Sequence, residues 1–270
     1  MTLKEAIDLL SEAGIDSPEY DARQLFLTLS GLHSTEITLH ASSDAPNLID
    51  ALNRRATREP LQYIIGNVGF YREEYEVTPD CLIPRSDTEI LVDYAVKYIP
   101  RGERFADLCA GSGCIGISTL ANTKDTTCLS VDISEAALAL TKKNAALNHV
   151  SERLTIRCAD LLATDINLGE KFFAILSNPP YIPEEVYLQL EKEIFHEPRI
   201  AFVGDDDGMR FYKVITPLAL AHLKEGGFIA FEIGYDQAEK IRAVAAENAC
   251  TCEIIKDYSC NDRVAVLKRI

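Results

Sequence analysis

Apolar residues recur at helical spacing over the first sixty positions, then gather into short strand-like runs from residue 105 onward. Thr2 and Glu5 have the spacing of a capping box, and Leu3, Ile7 and Leu10 predict a helix that runs to Gly14. Ser17-Pro18 opens a second helix with Leu25 and Leu29 on one face, closed by Gly31. A third runs from about Pro46 to Arg58 and is stopped by Pro60. From 61 to 84 the chain turns aromatic and β-prone, broken by Gly66, Gly69, Pro79 and Pro84, and reads as a hairpin-like connector. Beyond residue 86, apolar runs at 105–109, 127–131, 154–158, 172–177 and 228–233 are separated by helical stretches such as 134–148 and 211–223. That alternation implies a parallel sheet with helices on both faces. Two last runs, 252–256 and 264–268, are joined by a short turn and predict an antiparallel pair. The expected organisation is α/β: a helical domain over residues 1–60, a connector hairpin over 61–85, and a seven-stranded domain over 86–270. A helical module of that size more often docks a partner or covers a site than performs chemistry.

Composition narrows the class. The 270 residues are 47% hydrophobic and 26% charged, enough to bury a core without staples. The formal net charge is −15, and acids outnumber bases both before and after residue 80. This weighs against tight binding to naked nucleic acid, whose phosphates need Lys and Arg. The eight cysteines form no paired Cys-x-x-Cys, and the five histidines are scattered, so no metal site is expected. Cys109, Cys128 and Cys158 fall in apolar runs, where a free thiol acts as a small hydrophobe. The N-terminus lacks the apolar core of a signal peptide, and no uncharged apolar run reaches the ~18 residues of a membrane span. A cytoplasmic protein is expected.

Two segments carry candidate chemistry. Asp107-Leu108-Cys109-Ala110-Gly111-Ser112-Gly113 follows the first apolar run and opens a helix. Glycines there let the backbone approach a ligand, although the plainer reading is only a tight strand-to-helix turn. Asp132, 25 residues past Asp107 at the end of the second run, is placed to accept both hydroxyls of a ribose. Asp160, after the third, can reach an adenine amino group or be a solvated loop acid. Together these point to an adenosine-containing ligand without separating NAD from S-adenosylmethionine. The second segment is Asn178-Pro179-Pro180-Tyr181, directly after the fourth run, at the carboxyl end of the sheet. A planar nitrogen has a delocalised lone pair and is a poor nucleophile. The Asn178 side-chain oxygen and the Pro179 carbonyl can both accept from one NH₂ group and fix it, with Pro180 and Tyr181 shaping its slot. Such a site works by positioning rather than by covalent catalysis.

With these residues in view, the chain resembles the HemK/PrmC family of S-adenosylmethionine-dependent methyltransferases, which modify the glutamine side chain of peptide-chain release factors. Pro60-Leu61-Gln62-Tyr63-Ile64-Ile65-Gly66 resembles that family's connector, and Leu82-Ile83-Pro84-Arg85-Ser86-Asp87-Thr88-Glu89 its entry into the catalytic domain. Glu197-Pro198, Asp207-Gly208-Met209 and Asp262-Arg263-Val264 also fall where the family has them. The resemblance implies a Rossmann-like class I methyltransferase domain and a helical domain that recognises substrate. It implies S-adenosylmethionine, leaving as S-adenosylhomocysteine, held by Asp107, Cys109, Ala110, Gly111, Ser112, Gly113, Asp132, Asp160, Leu161 and Asn178. It implies Asn178, Pro179, Pro180 and Tyr181 as catalytic and substrate-binding residues for the glutamine of a class 1 release factor's Gly-Gly-Gln loop. A monomer with no direct nucleic-acid or membrane partner is expected. Asn-Pro-Pro-Tyr alone is shared with adenine and guanine N-methyltransferases, so a nucleic-acid enzyme is the alternative, followed by a NAD-dependent oxidoreductase or a nucleotide-binding module without catalysis. Cys109 stands where the family usually has glycine, with Gly111 and Gly113 expected to suffice for the turn. Ser86 replaces a common proline, and Leu161 a frequent aromatic.

Overall fold

The computed structural model describes residues 1–30, 42, 46–205 and 207–270. The chain divides into two compact units, one made of Met1–Asn67 with Glu191–His196, the other of Val68–Leu190 with Glu197–Ile270. The division falls at 67/68 rather than at 60, and a short stretch far along the chain returns to the first unit.

The first unit is helical: α1 (Leu3–Glu12), α2 (Pro18–Ser30), α3 (Pro46–Ala56) and α4 (Leu61–Ile65). The capping box forms, with Glu5 N donating to Thr2 Oγ1 at 3.2 Å and Thr2 N to Glu5 Oε2 at 2.7 Å. Leu3, Leu10, Leu25, Phe26, Leu48 and Leu52 are wholly buried between the helices. The closing role read for Gly31 lies outside the described residues. The stretch 61–65, read as part of a β-prone connector, is corrected to a helical turn. It starts after Pro60 and ends at Gly66, whose φ of 89° suits only glycine. Burial of Leu61 and Ile64 against the helical core outweighs the strand propensity of the β-branched Ile64. Arg55 ties the return segment down: it is buried, pairs with Asp21 at 2.7 Å and meets Glu193 at 3.2 Å.

Apart from Asn67, the hairpin of β1 (Asn67–Phe70) and β2 (Glu73–Glu76) belongs to the second unit and opens it. There follow α5 (Glu89–Tyr98), β3 (Arg104–Leu108), α6 (Cys114–Ala121), β4 (Thr127–Asp132), α7 (Glu135–Leu147), β5 (Leu154–Cys158), β6 (Phe172–Ser177) and α8 (Glu184–Tyr187). The unit closes with α9 (Arg210–His222), β7 (Leu223–Glu232), α10 (Ala238–Glu247), β8 (Cys250–Lys256) and β9 (Asp262–Arg269). Seven strands form one sheet in the order β5-β4-β3-β6-β7-β9-β8, parallel except for β9, which runs antiparallel to both neighbours. This is the Rossmann-like class I methyltransferase arrangement. Alternate residues serve opposite faces: Ala106, Leu129, Ile175 and Ile229 enter one core, while Phe105, Cys128, Ala174 and Phe228 enter the other. None of the eight cysteines, all among the described residues, is joined in a disulfide. Cys158 departs from the expectation of a buried thiol, because edge strand β5 leaves it exposed.

The strand order reverses between β3 and β6, which makes the crevice at their carboxyl ends the place where such sheets bind ligands. Register does the rest. Leu108 pairs with Ser177, and Ser177 with Phe231, so Cys109, Asn178 and Glu232 are the next residues on three neighbouring strands.

Candidate active site

The turn after β3 alternates in handedness. Cys109, Gly111 and Gly113 sit at φ 60°, 54° and 82°. The expectation that only the glycines carry this conformation is corrected: Cys109 is left-handed too, a strain of about 1–2 kcal/mol for a residue with a Cβ. Gly113 is the N-cap of α6, and a Cβ on it would come within 2.7 Å of Thr141 Cγ2. Helix α7 fixes the turn from the side, with Thr141 Oγ1 donating to Gly111 O at 2.8 Å and Asn144 Nδ2 to Ser112 O at 3.0 Å.

Asp132 ends β4 and anchors the same turn. Its Oδ2 accepts from Gly111 N at 2.8 Å and its Oδ1 from Ser134 N at 2.9 Å. An ionised carboxylate has about four lone-pair sites, so each oxygen keeps room for a further donor. Asp107 stands behind the turn. It is fully buried, accepts from Gly116 N at 3.0 Å, and its Oδ1 has no partner. Burial pushes its carboxyl up to about 7.

Most of the turn, together with Asp132, borders a cavity of about 310 Å³, within the usual range for small-molecule sites. Cys109, Ala110, Gly111, Ser112, Asp132, Asp160, Leu161 and Asn178 all line it, whereas Asp107 and Gly113 do not and instead shape its wall. Leu161 is buried and Asp160 exposed, with Asp160 Oδ1 already accepting from Leu162 N at 2.8 Å.

Asn178, Pro179, Pro180 and Tyr181 cross the open end of β6. Asn178 is half-buried and the two prolines are buried. Asn178 and Pro180 line the large cavity, and Asn178 and Tyr181 line a second one of about 70 Å³, bordered also by Glu232. Leu82, Arg85, Asn178 and Ala201 belong to both. Tyr181 does more than present a ring: its hydroxyl donates to Glu232 Oε1 at 3.2 Å, and Gln237 Nε2 donates to its carbonyl at 3.0 Å. Burial pushes its phenol well above the ordinary range.

The motif is held by residues whose part sequence reasoning missed. A Cβ on Gly204 would lie 2.4 Å from Pro180 O, and one on Gly208 only 2.2 Å from Tyr181 O. Gly208 also needs its φ of 68°. Gly208→Ala should therefore displace the Tyr181 carbonyl, with ~1–3 kcal/mol from the backbone alone. A melting temperature lowered by several degrees and turnover reduced about tenfold are expected; wild-type values for both would show that the close approach is unimportant. Thr88, Arg85, Glu197 and Glu232 were also unassigned. Glu197 is buried, pairs with Arg85 and accepts from Ile83 N at 2.9 Å, pinning the segment that enters the domain. Thr88 Oγ1 donates to Glu232 Oε2 at 2.5 Å and receives Asn178 Nδ2 at 3.5 Å. Charge alone gave one usable signal: Glu232 is an acid inside an otherwise apolar run.

Comparison with known proteins bears on what these cavities take. A family model described as PrmC N-terminal domain matches residues 2–66, and one described as methyltransferase small domain matches residues 86–202. A release factor glutamine methyltransferase of Caulobacter vibrioides is 39% identical over 273 residues, covering 97% of this chain and 93% of its own. One of Clostridium acetobutylicum is 38% identical over 224 residues, covering 82% and 79%. The crystal structure of the M. jannaschii tRNA m1G37 methyltransferase has a TM-score of 0.50 at 19% identity, over 74% of this chain and 55% of that one, a likeness of fold.

Proposed function

The chain belongs to the release factor glutamine methyltransferase family, and from that premise we propose that it methylates the side-chain amide nitrogen of the glutamine in a class 1 release factor's Gly-Gly-Gln loop, with S-adenosylmethionine as donor. The observation that carries this reading is the pair of adjoining cavities with Asn178 at their common border. The larger suits a nucleoside-sized donor and the smaller a side-chain amide.

The residues present fit the donor. The free lone pairs of Asp132 suit a ribose diol, the buried Leu161 offers adenine an apolar bed, and the second oxygen of Asp160 can accept from an amino group. Gly111 leaves its backbone open to close approach. When bound, the cofactor supplies a methyl carbon on a sulfonium, an electrophile whose leaving group is a neutral thioether.

Everything else falls to the chain. Asn178 Oδ1 and the Pro179 carbonyl accept the two amide hydrogens and so fix the plane and direction of the nitrogen. Pro179, having no N–H, presents no competing donor. Tyr181, fastened through its hydroxyl, walls the slot without turning into it. Fixing a poor nucleophile against its electrophile can supply several kcal/mol (roughly 7–11 at most). The helical first unit is assigned to gripping the protein substrate, and the enzyme to acting as a cytoplasmic monomer with no nucleic-acid partner.

Mass spectrometry of release-factor peptides after incubation with the protein and labelled cofactor tests the reading. A single methyl on the Gly-Gly-Gln peptide is expected. A release factor with glutamate in place of that glutamine should acquire none, because the slot presents acceptors where a carboxylate has nothing to donate. Label on nucleic-acid bases with none on the release factor would overturn the proposal.

A further inference from the structure

Two residues outside the Asn-Pro-Pro-Tyr motif bear on the amide of Asn178. A side-chain amide has an acceptor and a donor end of nearly the same size, so its orientation must be set by what surrounds it. Only one orientation serves the reaction above: Oδ1 toward the substrate nitrogen, Nδ2 away from it. With Nδ2 forward, Asn178 would set a donor against the donor NH₂ of glutamine. We propose that Thr88 and Glu232 set this polarity, and that they are positioning residues for the transfer. The inference rests on the function proposed above.

The argument is one of proton direction. Glu232 lies at the carboxyl end of β7, is 2% exposed, and by register neighbours Asn178. Two hydroxyls converge on its two oxygens: Thr88 on Oε2 at 2.5 Å and Tyr181 on Oε1 at 3.2 Å. The shorter separation is that of a hydroxyl donating to an ionised carboxylate. Burial, with the Asp87 charge adding to it, pushes the Glu232 carboxyl up, and the Thr88 hydroxyl, the Arg263 guanidinium and the Tyr181 hydroxyl hold that rise back. Thr88 Oγ1 is the donor of this bond, and with Glu232 ionised the carboxylate can only accept, so the single Thr88 proton is committed to it. Thr88 Oγ1 then has only lone pairs left to offer Asn178.

Facing those lone pairs, Asn178 must present Nδ2, and it does, at 3.5 Å. The contact is long, and its direction matters more than its strength. Flipping the amide would bring Oδ1 against an oxygen with no proton between them, at a side chain that is 2% exposed and borders the larger cavity. Oδ1 is thereby turned to the border of the two cavities before any substrate arrives. Removal of the carboxylate's demand would free the Thr88 hydroxyl to rotate and donate to Oδ1, which would reverse the amide and spoil the slot.

The test compares Thr88→Val, Thr88→Ser and Glu232→Gln in the full-length protein, with the wild type run beside them on a release factor. Thr88→Val keeps shape but loses the oxygen. Thr88→Ser keeps the hydroxyl. Glu232→Gln is nearly isosteric but can donate to Thr88 and so release its proton. For Thr88→Val and Glu232→Gln, kcat should fall tenfold or more, with S-adenosylhomocysteine affinity within twofold of wild type. Thr88→Ser should recover kcat to within threefold. In an Asn178→Ala background Thr88→Val should have no further effect, because the residue it orients is gone. The proposal is overturned if Thr88→Val retains the wild-type kcat, if cofactor affinity falls in step with kcat, if Thr88→Ser is as impaired as Thr88→Val, or if the losses add in the Asn178→Ala background. Should Thr88→Val fail to fold, Glu232→Gln decides alone on the same kcat and affinity criteria. Wild-type protein inert on the release factor would sink the functional reading and this proposal together, whereas active wild type with an equally active Thr88→Val sinks this one only.

Discussion

Asn178→Ala should lower the rate of release-factor methylation by roughly 10²–10³, the usual penalty for losing one well-placed polar contact at a reacting centre. Cofactor affinity should change far less. Asn178 leaves β6 beside Cys109 and Glu232, and it is the only Asn-Pro-Pro-Tyr side chain that borders both cavities among the described residues. Its truncation leaves the Pro179 carbonyl as sole acceptor for an NH₂ group with two hydrogens to place, and opens the junction to water. The nitrogen then samples many directions, few of them in line with the methyl group. The loss should fall on kcat because the ribose and adenine contacts proposed for the donor lie at Asp132, Asp160 and Leu161 rather than at Asn178. Asn178→Asp should be impaired by another route. It keeps an acceptor and the size, but turns an oxygen toward Thr88, whose proton is already committed to Glu232. It also adds a second carboxylate near a buried one. Steady-state methylation and calorimetric titration with S-adenosylhomocysteine, run on both variants, separate the two effects. A wild-type rate for Asn178→Ala would reduce the motif to a loop.

Elements bounded by clear turn signals could be read directly from the sequence. The runs at 154–158 and 172–177 coincide with β5 and β6 because their ends are marked by turns and polar residues. The start of β7 was hidden. The strand begins at Leu223, five residues before the apolar run, because Lys224, Glu225, Gly226 and Gly227 are carried into it past a register shift opposite Phe172 and Ala174. The α4 turn was hidden because Ile64 and Ile65 have strand-prone side chains that find a helical core. The site divides likewise. Asp132 and Asn178 are legible because each polar residue ends an apolar run, so topology alone delivers them to one crevice. Thr88 carries no such mark. Its partner Glu232 is 144 residues away, and only the closed fold shows that the two meet. Gly204 and Gly208 read as loop glycines until the carbonyls of Pro180 and Tyr181 are seen to occupy the space of their missing side chains.

Asp132→Ala should weaken S-adenosylhomocysteine binding about a hundredfold, and the reason is that one carboxylate does two things. Toward the cavity, its free lone pairs would, in the reading proposed above, accept the two ribose hydroxyls, and charge-assisted bonds of that kind contribute roughly 1.5–3 kcal/mol each. Even the lower figure, taken twice, corresponds to about two orders of magnitude in affinity. Toward the protein, its oxygens hold Gly111 N at 2.8 Å and Ser134 N at 2.9 Å, which keeps the glycine turn in register with the start of α7. That second duty makes asparagine a poor replacement. Both oxygens of Asp132 face a backbone N–H, so whichever way a replacing amide is turned, its NH₂ is set against a donor. Asp132→Asn should therefore lose at least tenfold despite its nearly identical shape. Because Thr141 and Asn144 still grip the turn from the side, both variants should remain folded, and their circular dichroism should match wild type. Calorimetric titration reads the affinities. An unchanged value for a well-folded Asp132→Ala would take the ribose away from Asp132 and leave that residue only as the anchor of the turn, with the donor then held by the adenine bed and the backbone of the turn alone.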